Sequence, residues 1–232
     1  VNNDVGKEKF NKRTFSILII FSWPFIFHGF AGSLLGNADK FILENYLTLS
    51  DVGLYTLAYS IGSMMIFAYV GISVFLEPMI YKENDLKKRK LLLDKFLFFS
   101  MFFGVILFFL ITITSIFILP LIYGVMYQKV IEYIPLLAMG YLIYPFYLKA
   151  NYRMIYEKKG LNIAMVSIGS AIINIGLNLF FIPKYGVLAA VITTVVSYAI
   201  QAIMFVLMAN KFKINKDFHE VVFISIILFA GI

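Results

Sequence analysis

FLFFSMFFGVILFFLITITSIFILPLIYGVMYQ, residues 96–128, runs from Lys95 to Lys129 without a charge. A helix needs about 20 mostly apolar residues to cross a bilayer, so this stretch holds one crossing with residues left over for a loop. It is too long and too continuous for a barrel strand, which would be about ten residues of alternating character. The pattern repeats in both directions. Arg13 to Asp39 encloses 25 uncharged residues, Asp51 to Glu77 encloses 25, and Glu132 to Lys149 encloses 16. Lys159 to Lys184 encloses 24 and Lys184 to Lys211 encloses 26. These gaps predict an all-α, polytopic transmembrane helix bundle. Its six complete helices span 14–36, 52–80, 92–119, 131–156, 160–182 and 187–210, and a seventh starts over 219–232.

Composition agrees. The 232 residues are 61% hydrophobic, 18% aromatic and 14% charged, against about 45–50% apolar and 25% charged in ordinary soluble domains. That excludes a soluble fold of this size, a disordered chain and a collagen-like one. With no cysteine, thiolate metal sites, disulfide frameworks and cysteine nucleophiles drop out together. The net charge of +7 gains its meaning from position. Segments 1–13, 81–95, 149–159 and 211–218 hold 17 of the 20 Lys and Arg residues. The intervening loops hold Lys40, Lys129 and Lys184. By the positive-inside rule the basic segments are cytoplasmic, so the cations anchor topology beside anionic lipid and no nucleic-acid partner is expected. The division is then a cytoplasmic inter-lobe segment over 1–13, a six-helix membrane lobe over 14–210, a cytoplasmic loop over 211–218 and the start of the seventh helix. The chain begins at Val1 and ends inside an apolar run, so a piece of a longer membrane protein is expected.

Polar residues inside the spans come next. Ser167, Ser170, Asn174 and Asn178 are spaced 3, 4 and 4 and share one helix face. Gly186, Ala190, Thr193, Thr194, Ser197 and Gln201 share another. Gly29, Gly32, Ser33 and Gly36 mark 14–36, and Gly53, Thr56, Ser60 and Ser63 mark 52–80. Small and hydroxyl or amide side chains hold membrane helices together. The alternative is that some of these faces line a watery cavity, with Asn174, Asn178 and Gln201 the amides suited to sugar hydroxyls. His28 in mid-helix is read either as a neutral ring bonded within the bundle or as a proton- or phosphate-sensing cavity group. Asp39 and Lys40 are expected at the outer interface, as a salt bridge or a solvated pair. Glu77, beside Pro78 near one end of its span, is the candidate for ion coupling unless it snorkels to the headgroups. Pro145 should kink helix 131–156. Beyond that kink Lys149 and Arg153, at i and i+4, share a face near Tyr152 and Tyr156, with Tyr144, Tyr147 and Asn151 on a second. They either snorkel to the cytoplasmic headgroups or build a cationic, tyrosine-lined substrate site, since interrupted helices are where transporters bind substrate. No phosphate-loop, zinc-hydrolase or paired-carboxylate motif is present. No enzymatic activity, cofactor or metal is therefore expected.

Two stretches carry a family resemblance. NADKFILENYL (37–47), followed by DVGLYTLAYSI (51–61), resembles the junction of the seventh and eighth helices in bacterial polysaccharide-repeat-unit flippases. INIGLNLFFIPKYGVLAAVITT (173–194) resembles the eleventh and twelfth helices of that family and the turn between them. These are the O-antigen and capsular polysaccharide flippases of the multidrug/oligosaccharidyl-lipid/polysaccharide exporter superfamily. The resemblance implies the C-terminal lobe of a two-lobe, alternating-access transporter in the bacterial cytoplasmic membrane. Its substrate would be undecaprenyl-diphosphate-linked oligosaccharide, and its partners membrane lipids and other polysaccharide assembly proteins. Only the Asp39–Lys40 position is carried over, because the family has no fixed catalytic motif. A multidrug/toxin extrusion-type cation antiporter is the alternative within the class. A membrane glycan polymerase or ligase, or a non-catalytic subunit, is the alternative outside it. The predicted outer loops, about 15, 11 and 4 residues, are short for a polymerase.

Overall fold

The computed structural model describes residues 12–123 and 128–210. The expectations for 1–11, for the 211–218 loop and for a helix starting at 219 lie outside the described residues. Every described element is helical: α1 Lys12–Tyr46, α2 Leu49–Gly62, α3 Met65–Lys82, α4 Leu86–Phe117, α5 Leu119–Tyr123, α6 Gln128–Tyr141, α7 Tyr144–Tyr156, α8 Gly160–Tyr185 and α9 Val187–Ala209. Together they make six stretches long and apolar enough to cross a membrane: α1, α2–α3, α4–α5, α6–α7, α8 and α9. The protein is a multi-pass membrane bundle. Its outer surface carries Phe30, Phe67, Phe75, Phe98, Phe102 and Phe109 exposed, as expected where hydrocarbon is the solvent.

Two predicted helices are each two pieces. In 52–80, read as one helix, the backbone leaves α geometry at Ser63 and Met64. There Met64 N–H bonds Ile61 O at 3.1 Å and Ile66 N–H bonds Ser63 O at 2.9 Å, both i to i−3. In 131–156 the expected break is present, between α6 and α7. Pro145 has no N–H for the carbonyl of Tyr141, four residues back. The Tyr69 hydroxyl, from α3, donates to that carbonyl at 3.0 Å. The two breaks thus sit side by side, and the helices that lead into them, α2 and α6, are equal in length. Just before the first, Gly62 lets α2 meet α6. A Cβ there would lie 2.9 Å from Leu137 Cβ and 3.2 Å from Ala138 N.

Other boundaries shift for identifiable reasons. Gly36-Asn37 reads as a helix end, yet α1 continues to Tyr46. The missing Cβ of Gly36 instead makes room for the Tyr59 hydroxyl, 3.3 Å from where it would stand. Helix 160–182 runs on through Pro183 to Tyr185, and Gly186 alone turns the chain into α9 with φ +63° and ψ −139°, a conformation open to glycine. Between α7 and α8, Lys158 takes φ +57°, with Lys158 N–H to Ile155 O and Lys159 N–H to Met154 O both at 2.9 Å. That pair of bonds closes a helix end in a Schellman motif with lysine where glycine is usual.

Candidate functional site

α8 and α9 are pinned by amides and hydroxyls. Asn174 Nδ2 donates to Ser197 Oγ at 3.0 Å, Asn178 Nδ2 donates to Asn174 Oδ1 at 3.1 Å, and the Thr193 hydroxyl donates to Asn178 Oδ1. Both asparagines are fully buried, so the structure places Asn174 in the helix contact together with Asn178. Gln201 is buried on α9. The small residues of α1 and α2 behave otherwise. A Cβ on Gly29, Gly32 or Gly53 would meet nothing within 4 Å. Ser60 and Ser63 donate to carbonyls of their own helix segment.

His28 bridges α1 to α7 and α8. Its Nδ1 is 2.6 Å from Ser167 Oγ and its Nε2 is 3.3 Å from the Tyr147 hydroxyl. The Ser167 proton goes to Ile163 O at 2.8 Å, so the network closes with a neutral ring carrying its proton on Nδ1.

Asp39 differs most from expectation. It lies inside α1, on the face of Leu35, Ile42 and Leu43, and is wholly buried. Its Oδ2 accepts from the Tyr55 hydroxyl and from Thr194 Oγ1, the latter at 3.1 Å. Its Oδ1 accepts the Lys40 N–H at 2.8 Å. The Lys40 ammonium turns away from it, donating to Asn37 Oδ1 at 3.0 Å and lying 4.4 Å from the Tyr59 ring centroid. The expected interfacial pair is therefore a buried carboxylate clamped by hydroxyls from α2 and α9, plus a separate cation–π contact. Next to it the Tyr59, Tyr198 and Tyr141 hydroxyls form a chain at 2.8 and 3.1 Å. Tyr144 is half-buried, its ring stacked on Tyr69 with centroids 6.1 Å apart. Glu77 is half-buried on α3.

Lys149 and Arg153 line a cleft of about 470 Å³ between the start of α4 and the ends of α7 and α9. Arg89, Lys90, Asp94, Glu157 and Asn210 line it too. Neither Tyr144 nor any of His28, Asn174 and Gln201 is in its wall. Among the described residues, four cations face two carboxylates, a net charge of +2. Lys149 Nζ meets Asp94 Oδ1 at 2.8 Å. Arg153 donates from Nε to Glu157 Oε1 at 2.9 Å and from Nη1 to Asn210 Oδ1 at 2.6 Å. Arg89 is 4% exposed, bonds the carbonyl of Glu83, lies 3.1 Å from the Tyr156 ring centroid and keeps its Nε without a partner. Phe96–Phe117 of α4 spans about 33 Å, roughly the hydrocarbon thickness. The α4 wall of the cleft, Leu86 to Asp94, lies from about half a turn to nearly three turns before Phe96, which puts that wall near headgroup depth.

Sequence reasoning found Lys149 and Arg153 but missed Arg89 as a wall residue. The available signal was spacing: Arg89, Leu93, Phe96, Leu97 and Ser100 recur at helical period and are all buried.

Residues 4–83 match the family described as polysaccharide biosynthesis protein. The match covers about a third of the chain, including the 37–61 stretch that carried the first resemblance, and supports the suspected family. No curated protein and no solved structure matches the chain.

Proposed function

We infer that this chain forms one lobe of a transporter that flips undecaprenyl-diphosphate-linked oligosaccharide repeat units across the bacterial cytoplasmic membrane, by alternating access, for surface polysaccharide assembly. The basic end of the bundle is cytoplasmic in this reading. The observation that carries it is the net-positive cleft near headgroup depth, in a chain whose first third matches a polysaccharide biosynthesis family. An anionic diphosphate with polar sugars does not cross hydrocarbon unaided. A cleft of arginines, lysines and one amide replaces the water around the diphosphate, while the polyprenyl tail stays in lipid.

One observation favours the second reading, a cation antiporter. Such a protein needs an intramembrane acid, and Asp39 is one. The cleft's net charge argues against a cationic cargo.

The test is the full chain in its native host, with Lys149→Gln and Arg153→Gln combined. Surface polysaccharide should fall severalfold while protein abundance holds. Normal export at normal abundance would overturn the role of the cleft. Uptake of a lipophilic cation by proteoliposomes, with no effect on polysaccharide, would establish the antiporter instead.

A further inference from the structure

The cations of the cleft are not waiting bare. Lys149 and Arg153 are each held by a carboxylate from the protein, and the two partners of each pair differ in how firmly they are fixed. The Lys149 side chain is 11% exposed and Asp94 is 47% exposed. The lysine is anchored among the walls and the aspartate stands toward water, so Asp94 is the member able to leave. Glu157 holds Arg153 through Oε1, and its other oxygen, Oε2, pairs with Lys159. If Oε1 releases Arg153, Lys159 still retains the carboxylate. Arg153 meanwhile stays oriented by Asn210. Half-exposed pairs of this kind contribute little net stability, so an incoming phosphate can exchange with them without a large penalty.

We propose that Asp94 and Glu157 are resident counter-ions that the substrate's diphosphate displaces, and that they set the cleft for release instead of capture. The proposal rests on the flippase reading. A diphosphate linking two carbon groups carries about two negative charges, which balances the cleft's net +2. The occupied cleft is then near neutral and lets its cargo go. Without the two carboxylates the same four cations would hold a dianion with two positive charges in excess. Asp94 and Glu157 are thus positioning residues. They touch the cations and not the substrate, and they govern affinity and release in opposite directions.

The experiment uses the full chain in phosphatidylcholine nanodiscs titrated with an undecaprenyl-diphosphate-linked monosaccharide, comparing wild type, Lys149→Gln/Arg153→Gln and Asp94→Asn/Glu157→Gln. Removing the counter-ions should tighten binding about five- to thirty-fold. It should also steepen the loss of affinity with salt and slow flipping in proteoliposomes. Asp94→Asn alone should give part of the shift, which keeps the test open if the double variant folds poorly. If Lys149→Gln/Arg153→Gln weakens binding while Asp94→Asn and the double variant leave it unchanged or weaker, the counter-ion role is overturned and the flippase reading stands. If Lys149→Gln/Arg153→Gln does not weaken binding, the flippase reading of the cleft falls first. An equal tightening toward phosphatidylglycerol would overturn the assignment of diphosphate as the displacing group.

Discussion

Tyr69→Phe tests how the broken span is held together. Tyr69 is fully buried and its hydroxyl donates at 3.0 Å to the Tyr141 carbonyl, the acceptor that Pro145 leaves without an N–H. Removing the hydroxyl strands that carbonyl, at a cost of about 1–3 kcal/mol for a buried acceptor. Interhelical bonds in membrane proteins average nearer 0.6 kcal/mol, so a loss of about 1–2 kcal/mol is expected. Part of any loss is packing, because the hydroxyl sits 2.8 Å from where a Cβ of Gly104 would be, and the phenylalanine leaves a gap there. A double-mutant cycle removes that part. In a Pro145→Ala background residue 145 has an N–H to offer Tyr141, and the tyrosine hydroxyl becomes redundant. Tyr69→Phe should then cost about 0.5–1.5 kcal/mol less than it does in wild type. Equilibrium unfolding in mixed micelles measures all four corners. An equal cost in both backgrounds would refute the argument that the hydroxyl substitutes for the proline's missing donor.

Gly62→Ala should lower the unfolding temperature, since a Cβ at 2.9 Å from Leu137 Cβ overpacks at about 1–3 kcal/mol, more than the roughly 1 kcal/mol of helix propensity gained. Gly71→Ala, with nothing within 4 Å of its Cβ, should hold or raise it. Burial raises the Glu157 carboxyl's pKa, but its bonds to Lys159 and Arg153 outweigh that and leave it below the ordinary 4.5. Its contribution to stability is therefore complete above about pH 4.5 and lost as pH falls through the lowered value. The difference in unfolding temperature between wild type and Glu157→Gln should shrink over that acid range, and a difference that grows there would contradict the sign. Cysteines at Asn84 and Ser50, both exposed and at opposite ends of the bundle, should label unequally with a membrane-impermeant reagent in intact cells. Reaction at 50 alone fits a cytoplasmic basic end, and reaction at 84 alone inverts the topology.

The spans were legible because uncharged runs between charges are a direct record of bilayer thickness. Pro145 announced its break for an equally local reason, the absent N–H. The break at Ser63–Met64 has only a weaker local mark, the Gly62-Ser63 pair, and the contact of α6 with Gly62 comes from a partner far along the chain. Asp39 reads as an interfacial pair with Lys40 because it ends an uncharged run, and tertiary packing instead buries it. Gly36-Asn37 resembles a helix end, whereas Leu35, Asp39, Ile42 and Leu43 continue the buried face past it. Lys149 and Arg153 were readable as a pair because i, i+4 spacing fixes their common face. Their partners Asp94 and Asn210 lie outside that helix, and no spacing rule reaches from one element to another.

The side-by-side breaks in α2–α3 and α6–α7 make the bundle's stiffness uneven. α8 and α9 are each one continuous helix, with only the Pro183 N–H missing from the ladder of α8 in its last turn. α7 is a short lever of 13 residues, about 20 Å long, pivoting where the backbone bonds are fewest. Lys149 sits near its middle and Arg153 on its far half. A load on those two side chains passes to α9 as well as to the break, because Arg153 bonds Asn210 and the Phe146, Tyr147, Ala150 and Met154 side of α7 shares one core cluster with Ala199, Ala202, Phe205 and Val206 of α9.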